Sequence, residues 1–345
     1  MSADGTGVLL SGLTTLRVGG LAARVVEAYD EEALIEAVRA ADLAGEPLLL
    51  VAGGSNLLVA DEGFDGTVVR VLTRGIRACV DPCSGASVQV AAGHPWDEVV
   101  GHAVLNGWSG IESLSGIPGA TGSTPIQNVG AYGQEVSQVI ASVRTWDRRA
   151  RAVRTLAAAD CGFGYRHSRL KADPGRFVVL DVTFQLPVAD LGAPVAYAEL
   201  ARALGVGPGE RAGLAQVRQA VLGLRAGKGM LLDDADPDTW SAGSFFTNPV
   251  LPQGFSLPEG APSFPGQDGA VKTSAAWLIE HAGFGKGYGM PGPAALSTKH
   301  TLALTNRGGA SAADLLALAR TVRDGVRDRF GITLVNEPVL VGLQL

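Results

Sequence analysis

The stretch from Ile111 to Gly133 constrains this chain more than any other. It is rich in glycine and carries a single charge, on Glu112. Within it, Gly116-Ile117-Pro118-Gly119-Ala120-Thr121-Gly122-Ser123 is a long glycine turn with hydroxyls, and Gln127-Asn128-Val129-Gly130-Ala131-Tyr132-Gly133 follows closely. Upstream, a short apolar run, Leu48–Ala52, leads into a second turn, Gly53-Gly54-Ser55-Asn56-Leu57. Glycine lets backbone N–H groups approach a phosphate closely, and hydroxyls add donors. Neither turn has G-x-G-x-x-G or G-K-[ST] spacing, and either alone is an ordinary tight turn. Together they read as a pyrophosphate cradle built on backbone donors.

The rest of the composition narrows the class. At 345 residues the chain holds two or three domains. With 46% apolar and 18% charged residues it is globular rather than disordered. The net charge of −6, without a basic stripe, argues against nucleic acid. The opening residues have no basic n-region, and the apolar runs are too short to span a bilayer, so neither a signal peptide nor membrane insertion is expected. Cys79, Cys83 and Cys161 have no paired spacing, which excludes a disulfide framework and a structural zinc. No H-E-x-x-H or calcium-loop motif is present, so no metal is expected. A reduced, cytoplasmic enzyme is the expectation.

Periodicity outlines an α+β chain. Asp30–Gly45 reads as a helix capped by Asp30 and ended by Gly45, and Trp96–Leu105 and Leu214–Leu224 read as further helices. Ser311–Phe330 is the clearest, with a capping box at Ser311 and Asp314 and an apolar stripe through Leu315, Leu318, Val322 and Val326. Residues 67–71, 87–93, 140–147 and 177–186 read as strands, and 332–342 as the last. The boundaries fall at residues 1–75, 76–224 and 225–345, with the last strand packing back on the earlier region.

Three further motifs carry chemistry. Tyr165-Arg166 offers a phenol beside a fixed cation, although such an arginine alone is usually a surface ion pair. Ser244 lies between Gly243 and the pair Phe245-Phe246, where a hydroxyl on a dry aromatic wall can donate a proton; alone it is a turn serine. Glu337, alternating with Val335 and Val339, reads as a carboxyl desolvated by apolar neighbours and able to hold a proton; alone it is an edge-strand residue, as Pro338 suggests.

Taken in order, these runs resemble the UDP-N-acetylenolpyruvoylglucosamine reductase family over nearly the whole chain. The resemblance is carried by Thr14–Gly20, Gly53–Leu57, Ile117–Gly133, Tyr165–Ser168, Gly243–Pro249, Lys272–Glu280 and Asn336–Pro338. It implies a two-domain FAD-binding fold of the vanillyl-alcohol-oxidase type, plus a C-terminal α+β substrate-binding domain. FAD would be held by Gly53, Gly54, Ser55, Asn56, Leu57, Gly116, Pro118, Gly119, Gly122, Ser123, Gln127, Asn128, Gly130 and Ala131. NADPH would reduce it, and the enolpyruvyl group of UDP-N-acetylglucosamine enolpyruvate would then be reduced to UDP-N-acetylmuramate for peptidoglycan. Arg166 and Glu337 would stabilise the enolate, and Ser244 would deliver the proton. Tyr132, Tyr165, Lys228 and Asn248 would touch substrate, as would Tyr197 on a loop that closes over it. Thr247 stands where many members carry Lys. The resemblance also implies a monomer. The alternatives are a flavin oxidase on the same fold and a non-enzymatic nucleotide-sugar binder.

Overall fold

The computed structural model describes residues 7–81 and 83–345. Two compact units emerge, and neither is continuous in sequence. One is built chiefly from Ala22–Gly53 and Asp65–Gly227, the other from Leu9–Leu21, Gly54–Phe64 and Lys228–Leu345. Both mix helix and strand, as an α+β chain should.

The first unit begins with the capped helix. Asp30 accepts from the Ala33 N–H at 2.8 Å, and the helix Glu31–Ala44 ends at Gly45 with φ 67°. Leu34, Ala37, Val38 and Ala41 form its buried stripe. The strands Leu48–Val51 and Phe64–Val71 pair in parallel, with Leu48 opposite Thr67, and Leu21–Ala28 pairs on the far side of Phe64–Val71. A second sheet is wholly antiparallel, in the order Ala152–Ala157, Ile140–Asp147, Phe177–Leu186, Gly85–Ala91, Ile76–Asp81. Phe177–Leu186 is apolar almost throughout because it is central and covered. Trp96, from the helix Trp96–Leu105, packs on Phe184 with ring centroids 5.7 Å apart. The Leu214–Gly227 helix, with Val195 and Leu200, forms a smaller apolar cluster.

The second unit is organised by the helix Ala312–Phe330. Ser311 and Asp314 form the capping box, and Asp61 adds a carboxylate to the same end, accepting from Ala312 and Ala313 N–H at 2.7 and 3.0 Å. The helix buries Leu315, Leu318, Ala319, Val322 and Val326 in one core with Phe245, Phe246, Leu296 and Leu304. The last strand is shorter than its alternation suggests. Only Val339–Val341 joins a sheet, in parallel with Leu57–Val59. Pro338 has no N–H to give a ladder. No helix among the described residues is long and apolar enough to cross a membrane.

Candidate functional site

In the first unit the two glycine turns meet. A Cβ on Gly53 would lie 2.5 Å from Gly119 Cα, closer than any side chain tolerates. A Cβ on Gly122 would lie 2.6 Å from the Ala92 Cβ. Backbone bonds set this approach: Trp96 N–H donates to Gly119 O at 3.0 Å, Thr121 N–H to His94 O at 2.9 Å and Gly122 N–H to Ala92 O at 2.8 Å. Gly116 N–H donates to Asp97 at 2.6 Å. Burial opposes ionisation of Asp97, but its bonds from Arg218 and from Gly116 win and hold its carboxyl below the usual range. The outcome is a close main-chain contact with no side chain between the two turns.

Asn128, 1% exposed, is fixed on three sides. Its side-chain amide donates to Glu135 at 2.8 Å and to Gly164 O at 3.0 Å, and its oxygen accepts from Ser137 N–H at 3.1 Å. Gly130 and Ala131 pair with Glu135 and Gln134, leaving Tyr132 and Gly133 as a two-residue turn with φ 50° and 89°. Both positive values match the hairpin turn that follows strand twist. Gly130 O accepts from the Arg166 guanidinium at 2.8 Å, and Asn128 O does so at 3.3 Å. Arg166 itself has φ 52°, in a turn closed by reciprocal bonds between Gly164 and His167. Its guanidinium carbon sits 5.4 Å from the centre of the Tyr165 ring. Of the six described non-glycine residues with positive φ, Asn128, Tyr132 and Arg166 are candidate site residues. Such backbone costs on the order of 1 kcal/mol each and persists where the surroundings impose it. Tyr197 opens the helix Ala198–Leu204 and meets Tyr132 edge-on, with centroids 6.0 Å apart. Burial pushes the Tyr132 phenol up.

In the second unit two motifs converge on Glu337. Its N–H donates to Phe245 O at 2.8 Å, one residue beyond Ser244, and its carbonyl accepts from the Asn56 side chain at 3.4 Å. Val339 N–H donates to Asn56 O at 3.0 Å. The Gly54–Leu57 turn, the Ser244 segment and Glu337 are thus stitched together by main-chain bonds and the Asn56 side chain. Gly54 holds its place because a Cβ there would strike Leu13 O at 1.8 Å. Phe245 and Phe246 are each 1% exposed, ring centroids 5.1 Å apart, and carry half-buried Ser244 on their flank. Gly243, at φ 70°, turns the chain into them. Asn248 accepts from Ala275 N–H at 2.9 Å, at the start of the helix Ala275–His281. Thr247, in place of the usual Lys, bonds back to Val335 O at 3.3 Å.

One detail differs from the sequence reading. Alternation along 332–339 is real, but its phase is opposite. Ile332, Leu334 and Pro338 are buried, while Val335 and Val339 are 62% and 50% exposed. Glu337 is therefore half-buried on the outward side, without the valine shell that alternation suggests. Lys228 is also half-buried, just past the helix that carries Arg225, a residue only 8% exposed that sequence reasoning missed. Glu112, 1% exposed, was missed too.

Residues 22–156 match the family model described as FAD binding domain, and residues 236–341 match the C-terminal domain of UDP-N-acetylenolpyruvoylglucosamine reductase. The UDP-N-acetylenolpyruvoylglucosamine reductase of Cutibacterium acnes is 61% identical over 340 residues, covering 98% of this chain and 90% of that one. Its counterpart in Streptomyces avermitilis is 56% identical, covering 97% and 94%. The crystal structure of the Thermus caldophilus enzyme superposes with a TM-score of 0.66 at 26% identity, over 99% of this chain and all of that one. The glycine cradle falls inside the first match and the Ser244–Glu337 junction inside the second, so architecture and relatives agree: the chain belongs to the UDP-N-acetylenolpyruvoylglucosamine reductase family.

Proposed function

We propose that this chain is an NADPH-dependent flavoenzyme that reduces UDP-N-acetylglucosamine enolpyruvate to UDP-N-acetylmuramate, as its family membership and its site chemistry both indicate. The observation that carries the reading is the junction at Glu337, where a main-chain bond to Phe245 and the Asn56 side chain join the Asn56 turn to the Ser244 segment. The bare backbone at Gly53, Gly119 and Gly122 fits FAD in this reading, because a side chain at Gly53 or Gly122 would strike Gly119 or Ala92 and force apart the turns that would hold the pyrophosphate. Ser123, Gln127, Asn128 and Ala131 complete the flavin contacts in this reading, with Gly54, Ser55, Asn56 and Leu57. FAD held there would supply hydride chemistry between NADPH and the enolpyruvyl carbon.

The chain's own residues handle charge and protons. Arg166 has two of its donors committed to Gly130 and Asn128 carbonyls, so the planar group is set in orientation before substrate arrives. With Glu337 it stabilises negative charge that builds on the carboxylate-bearing side of the enol. Ser244, seated on the Phe245–Phe246 wall, gives the proton to the adjacent carbon. Tyr132, Tyr165, Tyr197, Lys228 and Asn248 bind and orient the sugar nucleotide, and Tyr197 excludes water as its loop closes. The flavin region divides near residue 75, where one sheet gives way to the next. The reading includes a cytoplasmic monomer, which suits the nicotinamide and nucleotide-sugar substrates.

The test is an anaerobic titration. The purified protein should be yellow, NADPH should bleach it, and the enolpyruvyl substrate should restore the colour. A flavin that no nicotinamide bleaches would refute the reductase reading. Turnover with oxygen and without a nicotinamide would favour an oxidase.

A further inference from the structure

Glu112 is the single charge in the glycine-rich stretch, and it is buried. Its carboxylate accepts three hydrogen bonds from three separate segments. Gly110 N–H lies 2.6 Å from Oε2, while the Gln134 amide and Ala193 N–H lie 2.8 and 2.9 Å from Oε1. Gln134 returns its own oxygen to Ser113 N–H at 2.8 Å. The approach at residue 192 is so close that a Cβ on Gly192 would lie 2.6 Å from Oε1.

The two distant partners lead directly to the two tyrosines. Gln134 closes the two-residue turn that carries Tyr132. Ala193 lies four residues before Tyr197, on a segment bonded on its other side to 209–213 through Gly192 N–H to Ala212 O and Val195 N–H to Glu210 O. One carboxylate oxygen thus receives a donor from each arm of the Tyr132–Tyr197 pair. We propose that Glu112 is a positioning residue that ties the Tyr132 turn to the base of the segment leading to Tyr197 and thereby sets affinity for the sugar nucleotide. The inference rests on the reading of those tyrosines as substrate contacts. A carboxylate suits the place because both of its oxygens only accept, and all three neighbours donate. Glutamine would present an NH2 to one of those donors and leave it unsatisfied.

The experiment compares Glu112→Gln, Ala193→Pro, Tyr132→Phe, Tyr197→Phe and the Glu112→Gln/Tyr197→Phe double variant. Ala193→Pro deletes the donor on the Tyr197 arm while leaving the Glu112 carboxylate in place, and its ring also restricts the backbone at 192 and 193. Measured are KM for UDP-N-acetylglucosamine enolpyruvate, kcat, FAD content and the limiting anaerobic rate of flavin reduction by NADPH. Glu112→Gln should raise KM about tenfold, the effect of one lost buried hydrogen bond. FAD content, kcat and the limiting reduction rate should stay within about twofold. Adding Tyr197→Phe should raise KM by less than the product of the single effects, because both act through one contact. An unchanged KM in Glu112→Gln while the tyrosine variants raise it overturns the inference alone. Tyrosine variants with unchanged KM overturn the substrate reading and the inference with it. Equal loss of FAD content, kcat and KM would mark Glu112 as merely structural and also overturn it. Should Glu112→Gln fail to fold, Ala193→Pro carries the same expectation and the same refutation.

Discussion

Replacing Gly53 by alanine tests the cradle at its tightest point. The new Cβ would stand 2.5 Å from Gly119 Cα and 3.0 Å from Gly119 C, both main-chain atoms that cannot swing aside. Carbon atoms rest at about 3.5–4.0 Å, so the two turns must part by roughly 1 Å. Overpacking of that kind costs about 1–3 kcal/mol. If the displacement falls on the cradle, the same 1–3 kcal/mol appears as FAD affinity lowered by roughly five- to 150-fold, since about 1.4 kcal/mol is tenfold. Flavin fluorescence during apoprotein titration gives the dissociation constant, and thermal melting of the apoprotein separates lost binding from lost folding. Gly223→Ala is the matched control. It lies in the Leu214–Gly227 helix, nothing stands within 4 Å of its Cβ, and its φ is ordinary. That change should raise stability by about 0.5–1 kcal/mol and leave FAD binding untouched. FAD binding by Gly53→Ala as tight as in the parent would refute the argument that contact between the two turns shapes the site.

Ser244→Ala should leave bleaching by NADPH intact and slow reoxidation by the enolpyruvyl substrate about a thousandfold or more, as loss of a proton donor would; stopped-flow absorbance reads both halves. Asp147, 3% exposed, is held down to about 2, first by its bond from Arg176, against an unfolded value near 3.8. Because the folded pKa is the lower one, the stabilisation is complete above the unfolded pKa and is lost as pH falls toward 2. It amounts to about 2.5 kcal/mol, so Asp147→Asn should lose that much in urea unfolding at pH 7 and converge with the parent near pH 2. Asp61→Ala should cost about 1 kcal/mol by baring Ala312 and Ala313 N–H, measured the same way.

How much could be read beforehand depends on how local the cause is. The Asp30 and Ser311 caps, Gly45 and the stripe of the Ala312–Phe330 helix were all legible, because each is set within a few residues. The glycine turns were legible as bare backbone, and Gly53 and Gly119 do meet with no side chain between them. The strand Ile76–Asp81 was not, since its residues are almost all exposed and show no alternation. Leu21–Ala28 also escaped: its alanines, Arg24 and Glu27 suit a helix, and only pairing with Phe64–Val71 makes it a strand. The phase at Glu337 was misjudged because Pro338 breaks the ladder and hands the segment to Phe245 and Asn56 instead. Glu112 was invisible as an anchor because its partners lie far along the chain, at 134 and 193.

The parallel pairing of Val339–Val341 with Leu57–Val59 has a consequence for synthesis. A ribosome makes the Asn56 turn early, yet the turn must wait until residues 337 and 339 are made before Glu337 and Val339 arrive to hold it. Until then its carbonyls and the unpaired Leu57–Val59 edge stay open to water and to other nascent chains. A polypeptide released before residue 337 would carry most of the glycine cradle but not the clasp that completes the second unit, and quality control would meet it as an unfinished protein rather than a weak enzyme.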